Sequence, residues 1–158
     1  MRLIYDLDHT LIDSSHRQLT REDGSLCIDS WRKMSTREYI FSDSLLPMAE
    51  HCKRNLGRIE VIACTARVMS DHDHDFLLAH GLQFDAVLSR PEGVSLKDDA
   101  LKVGLLKGYA LAKGIGFTQF ARQSIMFDDN KNVLSTLTRH GFRCYDAIEI
   151  NQKLAKTA

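Results

Sequence analysis

MRLIYDLDHTLID, residues 1–13, opens the chain with the short apolar run Leu3-Ile4-Tyr5, which meets two aspartates spaced by one residue, Asp6 and Asp8. A buried strand that ends in two carboxylates carries negative charge to the edge of the core. Burying one unpaired carboxylate is costly, and crowding two together is worse. What compensates Asp6 and Asp8 is therefore the first question the chain poses.

Outward from that stretch, short apolar runs recur between helical patterns. Residues 2–5, 60–64, 85–89, 124–127 and 142–147 read as strands. A helix starts after Pro47 and stops at Gly57, and another starts after Ser70, a good N-cap, and stops at Gly81. Leu96 to about Lys113 reads as a helix with Leu101, Leu105 and Leu106 on one side; residues 132–140 read as one more, again followed by glycine. Strands alternating with helices imply a parallel sheet covered on both faces. The expected fold class is thus α/β, a Rossmann-like three-layer sandwich in one domain spanning 1–158. Residues 14–45 form a small flap insertion, with an Asp23-Gly24 turn signal suited to a hairpin and a mixed helical stretch to about Phe41. No large cap is expected.

The composition excludes several function classes. Lys+Arg and Asp+Glu balance at 21 each among 158 residues, so no strong overall field attracts polyanions. No stretch is long and apolar enough for a membrane span, and the charged start is unlike a signal peptide. Cys27, Cys52, Cys64 and Cys144 are scattered without a CxxC pair, which suits a reduced, cytoplasmic chain.

Ligands of an open parallel sheet bind at the carboxyl ends of its strands. Asp6 and Asp8 follow the first strand; Thr65 and Arg67 follow the second, in CTAR; Asp128 and Asp129 follow the fourth, in FDDN. Lys97, Lys102 and Lys107 lie on the preceding helical stretch. Several carboxylates at one edge become tolerable with a cation, and such hard oxygen donors suit Mg²⁺. Phosphoryl transfer uses this set. One carboxylate attacks phosphorus, a second moves the proton, a hydroxyl and backbone N–H groups hold phosphate oxygens, and a lysine faces the developing charge.

DLDHT resembles the DxDxT motif of the haloacid dehalogenase superfamily of phosphohydrolases. CTAR, the upstream lysine and FDDN resemble its remaining motifs in the same order, over Met1 to about Ile150. The resemblance implies Asp6 as nucleophile and metal ligand, Asp8 as general acid/base and, by its backbone carbonyl, a metal ligand, and Thr65 as a phosphate ligand. It implies Asp128 and Asp129 as Mg²⁺ ligands. The stretch SLKDDALK is further similar to the phosphatase half of bacteriophage polynucleotide kinases, which selects Lys102 as the motif lysine, with Lys97 as the alternative. It also implies Asp98 and Arg67 as substrate-binding residues. Asp98 and Lys102, spaced i, i+4, would support each other. The chain has no GxxxxGK[ST], so only the phosphatase carries over. The implied substrate is a phosphorylated nucleotide or nucleic-acid 3′ end; the alternatives are a 5′-nucleotidase, a broad small-molecule phosphatase or a silent binding module. No stable protein partner is expected.

Other features read more plainly. DHDHD at 71–75 is a helix N-terminus in which Asp73 closes a capping box on Ser70. His9 is a solvated loop residue. Arg17, Arg21, Arg32, Lys33 and Arg37, interleaved with acids, form a solvated face. Trp31 and Phe41 are either core of the insertion or a stacking surface for a base. A signalling receiver domain also combines paired acids, a threonine and a lysine, but there the acid pair follows the first strand and the lysine the last, the reverse of this chain.

Overall fold

Along the central strands, alternate residues enter opposite cores. Leu3, Tyr5, Val61 and Ala63 join one apolar cluster, while Ile4, Ile62 and Cys64 join the other. Such continuous burial on both faces is the mark of a parallel sheet clad in helices. The computed structural model describes residues 1–157. Its strands are β1 (Arg2–Tyr5), β2 (Ile12–Asp13), β3 (Ser44–Leu45), β4 (Glu60–Cys64), β5 (Ala86–Leu88), β6 (Ser124–Asp128) and β7 (Arg143–Asp146). Its α-helices are α1 (Ile28–Lys33), α2 (Arg37–Phe41), α3 (Met48–Asn55), α4 (Asp71–Ala79), α5 (Asp98–Ala112), α6 (Phe117–Arg122), α7 (Lys131–Arg139) and α8 (Ala147–Thr157). Five strands pair in parallel in the order β5-β4-β1-β6-β7. Met48 and Cys52 of α3, Phe76 and Leu77 of α4 and Ala147 of α8 fill one core. Leu106 and Ala110 of α5, Phe120 of α6, and Val133 and Leu137 of α7 fill the other. This is the expected three-layer α/β sandwich. None of the described helices is long and apolar enough to cross a membrane.

All five expected central strands form. The helices α6 and α8 were not legible. The first has six residues, too few for a period to show. The second starts directly at the end of β7, with no glycine or proline between, and is capped by Asp146, whose Oδ1 accepts from the Ile148 N–H at 2.9 Å.

The insertion between β1 and α3 stays small. β2 and β3 pair antiparallel at its base, and α2 packs on α4. The expected hairpin shrinks to one bridge, Thr20 to Leu26, around Gly24 at φ 84°. Phe41 turns out to be core, edge-on to Phe76.

At the opposite end of the sheet from the acid pair, Glu60 accepts from Arg2, from the Tyr109 hydroxyl at 2.9 Å and from Lys113 at 2.8 Å. Partial burial lifts its pKa, but the three donors outweigh this and bring it from 4.5 to about 2. A depressed carboxylate contributes stability that is complete above its unfolded pKa and lost as pH falls toward the folded one. Denaturant unfolding should therefore show wild type ahead of Glu60→Gln at neutral pH. The gap should close between about pH 4.5 and pH 2; a gap independent of pH would refute the assignment.

Candidate active site

β1 delivers Asp6 to the carboxyl edge of the sheet, where its N–H donates to the Phe127 carbonyl at 2.9 Å and locks it beside β6. Its side chain is buried, as is that of Asp128 at the end of β6. Lys102 reaches in from the second turn of α5 and places its Nζ 2.9 Å from Asp6 Oδ1 and 2.6 Å from Asp128 Oδ2. Carboxylate oxygens of Asp6, Asp128 and the half-buried Asp129 lie within 4.8 Å of one another. The Asn130 N–H also donates to Asp128 Oδ1.

Burial, then repulsion from Asp128, pushes the Asp6 carboxyl well above the ordinary range, against the pull of Lys102. Burial lifts Asp128 too, with Lys102 opposing. Three acids against one ammonium leave negative charge in excess. Crowded, hard oxygen donors with one cation too few fit a divalent ion of the Mg²⁺ type.

Of the two candidate lysines, the structure brings Lys102 into this cluster; Lys97 is exposed at the N-cap of α5. The expected Asp98–Lys102 support does not form, because Lys102 turns inward to two buried acids. Asp98 instead accepts from Arg90 at 3.0 Å. Arg90, which the sequence did not single out, also donates to the carbonyls of Ala66, Val94 and Leu96, bracing the loop before α5 against the CTAR turn. In that turn Thr65 is fully buried and its Oγ1 accepts from the Arg67 N–H at 3.1 Å.

Arg67 differs most from expectation. Instead of facing open space where a substrate phosphate would sit, its guanidinium is buried and grips Asp8, Nε to Oδ2 at 2.7 Å and Nη2 to Oδ1 at 2.6 Å. Its Nη1 donates to Asp73 at 2.8 Å, and Asp43 lies 3.5 Å from Nη2. The reason is local charge. Three acids converge here, and a planar fork of five donors is the side chain that can serve all of them. Burial would lift the Asp8 carboxyl, yet the Arg67 charge and hydrogen bonds and the Ser14 hydroxyl hold it below its ordinary value. Asp73 does close the expected capping box on Ser70, and in addition anchors Arg67.

Arg17 also departs from expectation. It is fully buried, not solvated, and forms a two-point pair with Asp43, Nε to Oδ1 at 2.9 Å and Nη2 to Oδ2 at 2.8 Å. Its guanidinium lies 4.2 Å from the centre of the half-buried Trp31 ring, and that of Arg67 lies 5.6 Å away. The flap is thus joined to Asp8 through Arg17, Asp43 and Arg67. No spacing in the sequence signalled Asp43.

Residues 1–102 match the family model described as bacteriophage T5 5′-deoxynucleotidase. The 5′-deoxynucleotidase of Escherichia phage T5 is 30% identical over 171 aligned residues, which cover 97% of this chain and 69% of that protein. Among solved structures, a haloacid dehalogenase-like hydrolase from Streptococcus pneumoniae superposes with a TM-score of 0.67 at 13% identity, covering 96% of this chain and 90% of that one. A chain of the Pnkp1/Rnl/Hen1 RNA repair complex superposes with a TM-score of 0.64 at 20% identity, covering 92% of this chain and 41% of that one. The family match and the long alignment agree: this chain belongs to the bacteriophage T5 5′-deoxynucleotidase family, and its fold is that of the haloacid dehalogenase-like hydrolases.

Proposed function

We propose that the chain hydrolyses the 5′-phosphomonoester of deoxyribonucleoside monophosphates, in a Mg²⁺-dependent reaction through an aspartyl-phosphate on Asp6. The observation that carries the reading is the buried Asp6–Lys102–Asp128 cluster at the strand ends. A carboxylate oxygen of Asp6 attacks phosphorus as the bond to the sugar oxygen breaks; Asp8, ionised in the free protein and protonated once the substrate phosphate is bound, supplies the proton that oxygen needs. Asp8, now ionised, takes a proton from water as the water attacks phosphorus, which releases inorganic phosphate and frees Asp6. Thr65 and backbone N–H groups hold phosphate oxygens, and Lys102 offsets their charge. Asp6, Asp128, Asp129 and the backbone carbonyl of Asp8 are the groups that would hold Mg²⁺, which when bound lets two anions approach.

The 5′ position and the deoxyribose follow the relative from Escherichia phage T5, a 5′-deoxynucleotidase. The competing 3′-end reading leaned on Arg67 and Asp98 as substrate contacts. Arg67 is consumed by Asp8 and Asp73, and Asp98 by Arg90, so the support for that reading weakens.

The test compares kcat/KM for a 5′-deoxymononucleotide, a 3′-mononucleotide, a 3′-phosphorylated oligonucleotide and a sugar phosphate, all with Mg²⁺. The 5′-deoxymononucleotide should lead by about tenfold or more, which is about 1.4 kcal/mol of transition-state preference. A lead for the 3′-phosphorylated oligonucleotide would restore the nucleic-acid-end reading and overturn this one.

A further inference from the structure

Among the described residues His9 is the one non-glycine with positive φ, at 62°. A β-carbon is disfavoured in this region, and glycine would sit there more easily. The side chain held at that cost is not a free loop imidazole. Its Nε2 lies 2.7 Å from Gln18 Oε1; the Gln18 Nε2 lies 2.9 Å from Ser14 Oγ; and Ser14 Oγ lies 2.5 Å from Asp8 Oδ1.

The direction of this chain is set from its end. Ionised Asp8 only accepts, so the Ser14 hydroxyl donates to it. The Ser14 oxygen then accepts from the Gln18 amide N–H, and the amide oxygen accepts from His9. Three hydrogen bonds thus point the same way and polarise one another toward Asp8. Ser14 is fully buried, while Gln18 and His9 are half-buried.

We infer that Gln18 is a positioning residue for Asp8, acting through Ser14, and that His9 keeps the Gln18 amide the right way round. An amide flipped end for end would present its oxygen to Ser14. The hydroxyl would then donate to Gln18 and abandon Asp8, leaving Arg67 alone to place the carboxylate. A donor at His9 opposes that flip, which gives the left-handed backbone a purpose. The inference rests on the acid/base role proposed for Asp8.

Two esters separate positioning from general damage. On a 5′-deoxymononucleotide the departing alkoxide needs a proton from Asp8. On p-nitrophenyl phosphate the departing phenolate does not. Because kcat/KM reports the steps through aspartyl-phosphate formation, only the first ester should feel a misplaced acid. Gln18→Met, Gln18→Glu and His9→Gly should each lower kcat/KM on the nucleotide by about tenfold and on the aryl ester by less than about threefold. Ser14→Ala combined with Gln18→Met should be no worse than Ser14→Ala alone, since both cut one chain. Equal losses on the two esters, or no loss on the nucleotide, would overturn the inference while leaving the site's function standing. A wild-type protein inactive on both esters with Mg²⁺ would instead overturn the proposed function, and this inference with it.

Discussion

Asp6→Asn should lose phosphatase activity by about three orders of magnitude or more, the usual consequence of removing a nucleophile. The amide keeps the shape of the carboxylate and can still accept from Lys102, so the fold around it has little cause to change. The substitution even relieves the repulsion from Asp128, which adds to burial in lifting the Asp6 carboxyl well above the ordinary range. Thermal stability should therefore hold while turnover disappears, a separation that assigns the loss to chemistry. Acid-quenched wild-type protein should carry one extra phosphoryl group by mass spectrometry, and the variant none. Residual activity above about 1% would end the case for attack by Asp6.

The legible part of this molecule is the part written locally. Asp6 and Asp8, Thr65, and Asp128 and Asp129 each follow an apolar run directly, so strand reading alone delivers them to one edge. Lys102 was legible only through the resemblance of SLKDDALK, because spacing alone leaves it on one helical stretch with Lys97; the structure seats Lys102 in the second turn of α5 and puts Lys97 at its N-cap. Arg17 and Asp43 lie 26 residues apart in an insertion of short, irregular pieces. No period relates them, and exposed and buried arginines look alike in a sequence. The same holds for Asn151 on α8, whose side chain accepts from the Met48 N–H and donates to the Thr10 carbonyl, 141 residues away. Hydrogen bonds of that reach become visible only once the chain is folded.

A consequence of this division is that the acid/base group and the nucleophile are held by different means. Asp6 is fixed by the sheet and by α5. Asp8 is fixed by Arg67, which is itself held by α4 through Asp73 and approached by the flap through Asp43. Flap substitutions should thus act on proton transfer before they act on attack at phosphorus.

Lys102→Met tests the charge balance at the centre. The ammonium is buried and bridges Asp6 and Asp128, and removing one partner of such a buried set leaves the others uncompensated. Methionine fills nearly the same volume, so packing is kept and charge is the variable. Without a divalent ion, Asp6 and Asp128 would face each other alone, and the variant should unfold several degrees below wild type. With Mg²⁺ the missing positive charge is supplied from solution. The lysine no longer repels the ion, so the metal should bind the variant's folded state more tightly. Ligand binding at free concentration c stabilises the folded state by RT ln(1 + c/Kd), so the tighter-binding variant should gain more Tm from Mg²⁺ than wild type does. Turnover should nevertheless stay at least about a hundredfold down, because phosphate oxygens in the transition state lose their fixed positive partner. Differential scanning calorimetry with and without Mg²⁺ reads the first effect, and single-turnover hydrolysis reads the second. Equal Mg²⁺-dependent shifts in the two proteins would mean that Lys102 and the metal do not share the same carboxylates, and the site would have to be redrawn around a different cation position.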